Sequence, residues 1–571
     1  MKTLNKMKLF TTSLVLLCSL FFYQTVSNAQ PVSSKDLYLD LMQEAVFAYT
    51  PERIEDYIAR VEQEGITEHG FGRLASNIGI LVSKGRIPEY KDLFVRLMDI
   101  AAREIPVAKE KSKKSRPGND FAVKELVCCV LECEKSGVFP KEKTDIWRNA
   151  FTEMTAENIY SSQPAVGGDR AHNWCVFGSA SECARIMAGM GGDRSYADKY
   201  LTDQLRFFDV NGMYRDPNQP MVYDFVARLQ FMAALSFGYD GPAREDIEKQ
   251  LLKSAIPTLQ MQSVTGEIPY GGRSNGFLHN ETFYAAVCEY YATWMKERGE
   301  LDLASRFKSA ARRASESVSY WTSRKPVRHI KNRYPTETTY GCEKYAYFDK
   351  YMVTMASWAY LAYRFADDSI PMAKGNEPAS TFVTSPEFHQ IIMNAGGYTV
   401  QIDLDAYKSY DTSGLGRFQR EGYSPVAGLH SPSPAKKPKY NVDIPVKGGI
   451  SLSPGWEKYI LVSSAKGKVV LTDGNGSFWT IRLSKSGLSM ILKGEGKQSL
   501  MIPALVYDGE SSAEVSLSDK SLTVSFAGAE CNWVSNGVIS DSGKEYASRN
   551  GHLHRYDCSA DGQLKLKGQI R

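Results

Sequence analysis

The sequence predicts a two-part fold, an (α/α) helical toroid followed by an antiparallel β-sandwich. Three observations carry that expectation. From Ser34 to about Asp368, apolar residues recur at three- and four-residue spacing, the mark of amphipathic helices. Within that stretch, polar and aromatic loops return at roughly the length of one helical hairpin. From Thr381 onward the helical period gives way to short alternating segments separated by Gly, Asn and Asp turns.

A chain of 571 residues exceeds one ordinary core, so two large domains are expected. Its 43% hydrophobic and 23% charged residues are those of a globular protein, and a net charge of only +4 argues against nucleic acid as a partner. Lys2, Lys6 and Lys8 precede an apolar run from Leu9 to about Val26, then Ser27, Asn28 and Ala29. This is the pattern of a cleaved signal peptide over residues 1–29. Leu17 before Cys18 is not the small residue that lipidation calls for. No later apolar run reaches the ~20 residues of a membrane span, so the mature chain is expected in the periplasm or secreted. Periplasm is preferred, since no surface-anchoring signal is seen. Beyond the leader lie nine cysteines, without a CxxC pair or Cys/His zinc spacing. Neither a disulfide framework, a metal site nor a cofactor is indicated.

In chain order, helix-period segments fall near residues 35–47, 52–63, 71–84, 88–105, 120–136, 142–158, 173–190, 195–208, 221–237, 243–260, 278–297, 300–323 and 345–366. Residues 109–116, KEKSKKSR, read as a solvated basic loop. Loops at 167–174, 211–224, 266–281 and 332–351 each precede an apolar helix, and a more charged helix follows three of them. Stacked hairpins of this kind close into a ring of inner and outer helices. The loops before the inner helices then open on one face and gather four distant polar clusters around one cleft. This domain spans residues 30–370.

Ser369, Pro371, Gly375 and Pro378 make a linker, and the β domain spans 371–571. Alternating segments fall at 398–404, 458–462, 469–472, 478–483, 488–492 and 522–526, with turns at 473–476 and 507–509. Residues 411–440 read as a loop too long for a routine connection. Arg417, Arg420 and His430 on it are candidates to reach back to the helical cleft.

The densest cluster lies at 266–281, where Tyr270, Arg273, Asn275, His279, Asn280 and Glu281 occupy a Gly-rich loop turning into a helix. A helix N-terminus offers unpaired N–H groups and a positive dipole end, which suit an anionic or hydroxyl-rich ligand. The other loops contribute Asp169, His172, Asn173 and Trp174; Tyr214, Tyr223, Asp224 and Arg228; and Arg333, Tyr334, Glu337, Tyr340, Glu343, Tyr345 and Asp349. Rings beside Asn, Arg and acids suit sugars, whose C–H faces stack while hydroxyls and carboxylates take hydrogen bonds.

Two reactions fit. In β-elimination at a uronic acid, the carboxylate must be neutralised before the C5 proton can leave, a His or Tyr takes that proton, and a Tyr or Arg assists the leaving oxygen. Asn173, Asn275 and Arg273 supply neutralisers, His279 or His172 a base, and Tyr340 or Tyr345 an acid. Glycoside hydrolysis needs two carboxyl groups facing each other across the bond, and Asp169, Asp224, Glu281, Glu337 and Glu343 are the candidates. A non-catalytic glycan-binding protein ranks third, because it would show aromatic anchors without this clustering of His, Tyr and acids.

The order of leader, helical toroid and antiparallel β domain resembles the secreted toroid polysaccharide lyases, the group of chondroitin AC lyase, hyaluronate lyase and heparinase II/III-like enzymes. His172-Asn173-Trp174 followed by Gly178 is similar to the segment that carries their carboxylate-neutralising Asn, and residues 266–279 to the Gly-rich loop carrying their catalytic His. The resemblance implies Asn173 as neutraliser, His279 as base and a uronate-containing oligo- or polysaccharide as substrate. Trp174, Tyr223, Arg228, Tyr270, Asn275, Asn280, His172 and His430 are then expected to bind it. The family's Tyr acid has no clear counterpart: Asn280-Glu281 follows His279 where a Tyr-Asn-Gly segment occurs in the chondroitin lyase type. A divergent uronate-specific branch, such as the rhamnose-glucuronate lyases, fits best. Uronate lyase is thus the first reading, with an exo-acting, glucuronidase-like hydrolase second.

Overall fold

The computed structural model describes residues 33–571 apart from 109–117, 161–164, 170, 376, 408, 436–450 and 453–454. The leader at 1–29 and the basic loop at 109–116 lie outside the described residues. The helices are α1 (Ser34–Phe47), α2 (Pro51–Glu64), α3 (Gly70–Ser83), α4 (Lys91–Glu104), α5 (Val123–Ser136), α6 (Lys141–Thr152), α7 (Ala156–Ile159), α8 (Asn173–Met187), α9 (Arg194–Gln204), α10 (Met221–Ser236), α11 (Arg244–Met261), α12 (His279–Glu297), α13 (Leu301–Thr322) and α14 (Phe348–Phe365). The segment expected as one helix over 142–158 divides into α6 and α7.

Two kinds of helix sort into two layers. α3 is buried from Gly70 through Val82, and α10 at nearly every position from Met221 to Leu235. α2 buries only Ile54, Tyr57, Ile58 and Val61. A helix buried all round belongs inside, and one with a single apolar stripe belongs at the rim. The inner helices neighbour one another in the order α3, α5, α8, α10, α12, α14, and α14 packs back on α3 to close the ring. Gly79 permits the α3–α5 approach, since a Cβ there would stand 2.5 Å from Cys129 Sγ. At the rim, Thr50 caps α2 by accepting the Arg53 N–H, with Pro51 at the first helical position. No helix among the described residues is long and apolar enough to cross a membrane.

The β domain has two antiparallel sheets. The smaller runs β1 (Ser380–Val383), β2 (Gln390–Ala395), β3 (Tyr398–Asp403), β4 (Gly414–Arg420) in sequence order. The larger contains β5 (Ile460–Ala465), β6 (Lys468–Thr472), β7 (Phe478–Ser484), β8 (Gly487–Tyr507), β9 (Glu514–Leu517), β10 (Ser521–Phe526), β11 (Ala529–Ser535), β12 (Val538–Ser548) and β13 (Gly551–Ile570), ordered β5-β6-β7-β8-β13-β11-β10-β9, with β12 paired to β13. Val400, Ile402 and Phe418 of the small sheet share one core with Trp479, Met490, Trp533 and Leu566 of the large one. Residues 411–440 therefore differ from the expected loop. Their first part is β4, which pairs with β3 and carries Arg417 into the interior, while 436–440 lie outside the described residues.

All six residues of β3 are buried. Tyr398, Val400 and Ile402 face the sandwich core. The alternate residues meet the helical domain: Thr399 Oγ1 accepts the Val264 N–H at 2.8 Å, and the Gln401 amide bonds both backbone groups of Tyr270. The polar face of this strand is therefore an interface between domains.

Charges are locked into the same interface. Lys331 Nζ lies 2.7 Å from Glu267 Oε1 and 2.8 Å from Glu281 Oε2, all three side chains being 3% exposed or less. His430 and Gln419, from the β domain, complete Glu267 at 2.8 and 2.7 Å. Burial alone would raise the Glu267 carboxyl, but His430 and Lys331 outweigh it and hold the group well below the usual range. Lys331→Met removes the cation between two buried carboxylates. The expected cost is about 3–5 kcal/mol, read as a lowered midpoint in equilibrium denaturation; an unchanged midpoint would contradict the assignment.

Candidate active site

The first turns of the inner helices, with the loops that lead into them, enclose a cavity of about 460 Å³. α3 brings Arg73, with His69 just before it, and the turn before α5 brings Phe121. α8 brings Asn173, Trp174 and Phe177, and α10 brings Val222, Tyr223 and Val226. Arg273, Ser274 and His279 come from the α12 start. Tyr345, Lys350 and Tyr351 come from the α14 start, and Thr354 and Trp358 from one to three turns further along it. Six helix N-termini thus point their positive ends at one space.

Asn173 is the first residue of α8. Its Nδ2 donates to Asp216 Oδ1 at 2.8 Å, while its Oδ1 is buried without a hydrogen-bond partner. The second Asp216 oxygen accepts from Arg273, whose guanidinium lies 4.3 Å from the centroid of the Tyr223 ring. Asp216 therefore fixes two cavity residues at once, and its carboxylate needs the amide nitrogen, leaving the amide oxygen free as an acceptor.

His279 opens α12, its ring stacked on Phe277 at 5.5 Å and edge-on to Tyr351 at 5.0 Å. Burial, reinforced by the charge of Arg73, holds its pKa well below 6.5. The ring is neutral at neutral pH and able to accept a proton.

Ser274 joins the tyrosines. Its Oγ lies 3.2 Å from Tyr223 Oη and 2.9 Å from Tyr345 Oη. Its backbone sits at φ 61°, and its N–H donates to Glu343 Oε1 at 2.6 Å. Glu343 in turn forms a two-pronged ion pair with Arg549, on the β12–β13 turn. Arg549 Nη1 also donates to the Asn275 carbonyl at 3.1 Å. The β domain thereby braces the cavity's tyrosine pair. Desolvation, then the neighbouring Tyr223 and Glu343, raise the Tyr345 phenol well above its ordinary range, so it keeps its proton.

Of the residues expected from sequence, Asn173, Trp174, Tyr223, Arg273, His279 and Tyr345 line the cavity. The others lie elsewhere. Glu281 and His430 belong to the buried interdomain charge network. Arg228 is fully buried, gripping Asp224 with two nitrogens and Thr258 with the third. Tyr270 is buried against Gln401 and Arg417. Asn275 and Asn280 fix the loop, donating to the Gly272 and Ser274 carbonyls. Tyr340 stacks on Tyr334 at 3.9 Å beside Ala435 and Ala547 of the β domain. His172 stands behind Trp174, ring centroids 6.0 Å apart. Glu343 is tied to Arg549, Asp349 pairs with Arg53 and Arg60, and Asp169 and Glu337 are exposed outside the cavity.

Sequence reasoning missed His69, Arg73, Ser274, Lys350, Tyr351 and Trp358, and the second-layer Asp216 and Arg549. Two of the six loops entering inner helices, before α3 and α5, went unread. A usable signal existed: Arg73 is a lone charge in the apolar stretch GFGRLASNIGILVS, within one turn of its start.

No family model and no curated protein matches this chain. Solved structures do. A chondroitin AC lyase of Streptomyces coelicolor A3, in complex with chondroitin sulphate, is similar at 10% identity over 95% of this chain and 80% of the other, with a TM-score of 0.52. A heparinase III aligns at 8% identity over 87% of this chain and 77% of the other, TM-score 0.46. A GH127 β-L-arabinofuranosidase of Geobacillus stearothermophilus T6 aligns at 10% identity over 94% and 80%, TM-score 0.34. The likeness to the chondroitin AC lyase is one of fold: a helical toroid followed by an antiparallel β domain.

Proposed function

We propose that this chain is an exported lyase that cleaves the glycosidic bond to a uronic acid in an oligo- or polysaccharide by β-elimination. One observation supports this above the others. Among the described residues, no carboxylate lines the cavity, whereas a neutral histidine, an amide oxygen without a partner and a proton-holding phenol all do. Hydrolysis by a carboxylate pair needs two acids facing the bond. The five acids considered for that role are ion-paired or outside the cavity.

The chemistry follows from the parts. With the sugar carboxylate held between Arg273 and the α8 N-terminus that Asn173 opens, its charge is offset and the C5 proton becomes acidic enough to remove, while Asn173 Oδ1 is open to a sugar hydroxyl. The neutral His279 imidazole takes it. The C5–H electron pair forms the C4–C5 double bond, the C4–O bond breaks, and the leaving oxygen takes the proton of Tyr345. Proton return from His279 to Tyr345 through solvent in the cavity restores both groups. Trp174 and Tyr223 offer faces to the sugar rings. The extracytoplasmic address rests on the leader read in the sequence, and the glycan substrate on the site's chemistry together with the similar fold of a chondroitin-degrading enzyme.

Three outcomes are expected. The C4–C5 double bond conjugated to the carboxylate absorbs in the ultraviolet, so turnover on uronate oligosaccharides raises absorbance. His279→Ala abolishes that rise by about 10²–10⁴-fold, while Glu281→Gln in a variant that stays folded keeps catalysis; new reducing ends with flat absorbance would overturn the lyase reading in favour of a hydrolase. Because His279 stays neutral well below pH 6.5, kcat/KM should hold its value through pH 6.5 and decline only at lower pH. An acid limb centred at or above 6.5 would remove His279 as the base. Arg549→Met, which leaves Glu343 and Ser274 unbraced, should lower kcat about 10²-fold with a smaller change in KM, measured on protein whose folded state is verified by circular dichroism.

A further inference from the structure

The charges around the cavity do not balance, and the imbalance is local. On the α8–α12 side, Arg273 is neutralised by Asp216. On the α3–α14 side, Arg73 and Lys124 share one carboxylate oxygen, Glu125 Oε1, at 3.2 and 3.1 Å, with all three side chains 2% exposed or less. Two buried cations thus have one counter-charge. Lys350 adds a third positive group to the same wall: it lines the cavity, and among the described residues its Nζ has no hydrogen-bond or ion-pair partner. The acid that acts on it, Glu68, is bound by the Tyr57 hydroxyl and the Gly70 N–H, and burial raises its pKa to about 7, so it offers only part of a charge at neutral pH. His69 registers the resulting field: burial, then Arg73 and Lys350, hold it well below 6.5. Arg73 Nε is also buried without a partner.

Unpaired positive charge in a desolvated wall is costly unless an anion arrives to meet it. Building on the uronate reading, we propose that Lys350, backed by Arg73, forms a second anion-binding locus of the cavity, separate from the Asn173–Arg273 locus that takes the scissile uronate. The preferred substrate therefore carries a second negative group on a neighbouring sugar. A sulfate ester and a second uronate carboxylate share this chemistry, since both present oxygens to a point-charge ammonium. Lys350 suits such a locus because it lies at the start of α14, where the helix dipole adds to its charge.

The experiment has two arms. In the first, inorganic sulfate at millimolar concentration is titrated against the whole protein while thermal unfolding is followed. Sulfate should raise the unfolding temperature of the native chain and of Lys350→Arg but not of Lys350→Met. In the second, three tetrasaccharides are titrated calorimetrically in a His279→Gln background: one with a single uronate among neutral sugars, one with that uronate beside a sulfated sugar, and one of adjacent uronates. The doubly charged probes should bind at least tenfold tighter than the first, with Lys350→Met erasing this advantage while changing the single-uronate affinity by less than threefold. Which probe loses more identifies sulfate or carboxylate as the group recognised. An equal loss for all three probes, or no loss, overturns the second locus and leaves the uronate reading standing. A sulfate response that needs Lys350, with no binding of any uronate probe, keeps the anion locus and overturns the uronate reading instead.

Discussion

The parallel entry of six inner helices into one mouth is the constraint on which the rest depends. A closed ring of alternating inner and outer helices makes every inner helix run the same way, so all six N-termini converge. Each contributes unpaired N–H groups and a positive partial charge. A cavity built this way is electropositive before any side chain is chosen. Arg73 and Lys350 then deepen a field that the backbone has already set.

The same field selects protonation states. Surrounded by cations and buried, His279 and His69 stay neutral where free histidines would titrate, and Lys350 shifts downward for the same reason, burial first. Tyr345 moves the other way because desolvation penalises the phenolate. Environment thus sets the two groups apart: the imidazole is held neutral and the phenol keeps its proton.

The β domain is part of this machinery through buried polar contacts. Its smallest sheet presents one face to the sandwich core and the other to the loop that leads into α12. Arg549, from the turn between β12 and β13, holds Glu343, which holds the backbone of Ser274, which bonds the two tyrosine hydroxyls. Such a chain of charge-assisted bonds positions well because each member would be left unpaired and buried if the next moved. Lys331, between two glutamates, does the same for the seam between domains.

Much was legible in the chain itself. The helical period, the change to alternation after Thr381 and the recurring polar loops follow from local spacing, because the face a helix buries is written in every third and fourth residue. Asn173, Trp174, Tyr223, Arg273, His279 and Tyr345 were legible as polar or aromatic residues where loops become inner helices, and the structure brings all six to the cavity. Spacing does not say which polar residue faces the ligand and which faces another domain. Glu281 sits two residues from His279, yet the turn of the helix carries it to Lys331 and away from the cavity. The polar residues of β3 read as a solvent face until a second domain covers them. Arg73 and Arg549, separated from the central loop by about two hundred residues in sequence or more, enter the site only through ring closure and domain docking. The sequence by itself determined which elements form and where chemistry-bearing residues cluster, because those depend on neighbours along the chain. Tertiary structure alone decided which charges are paired, which are left over and which proton each group keeps, because those depend on burial and on partners that only folding brings together.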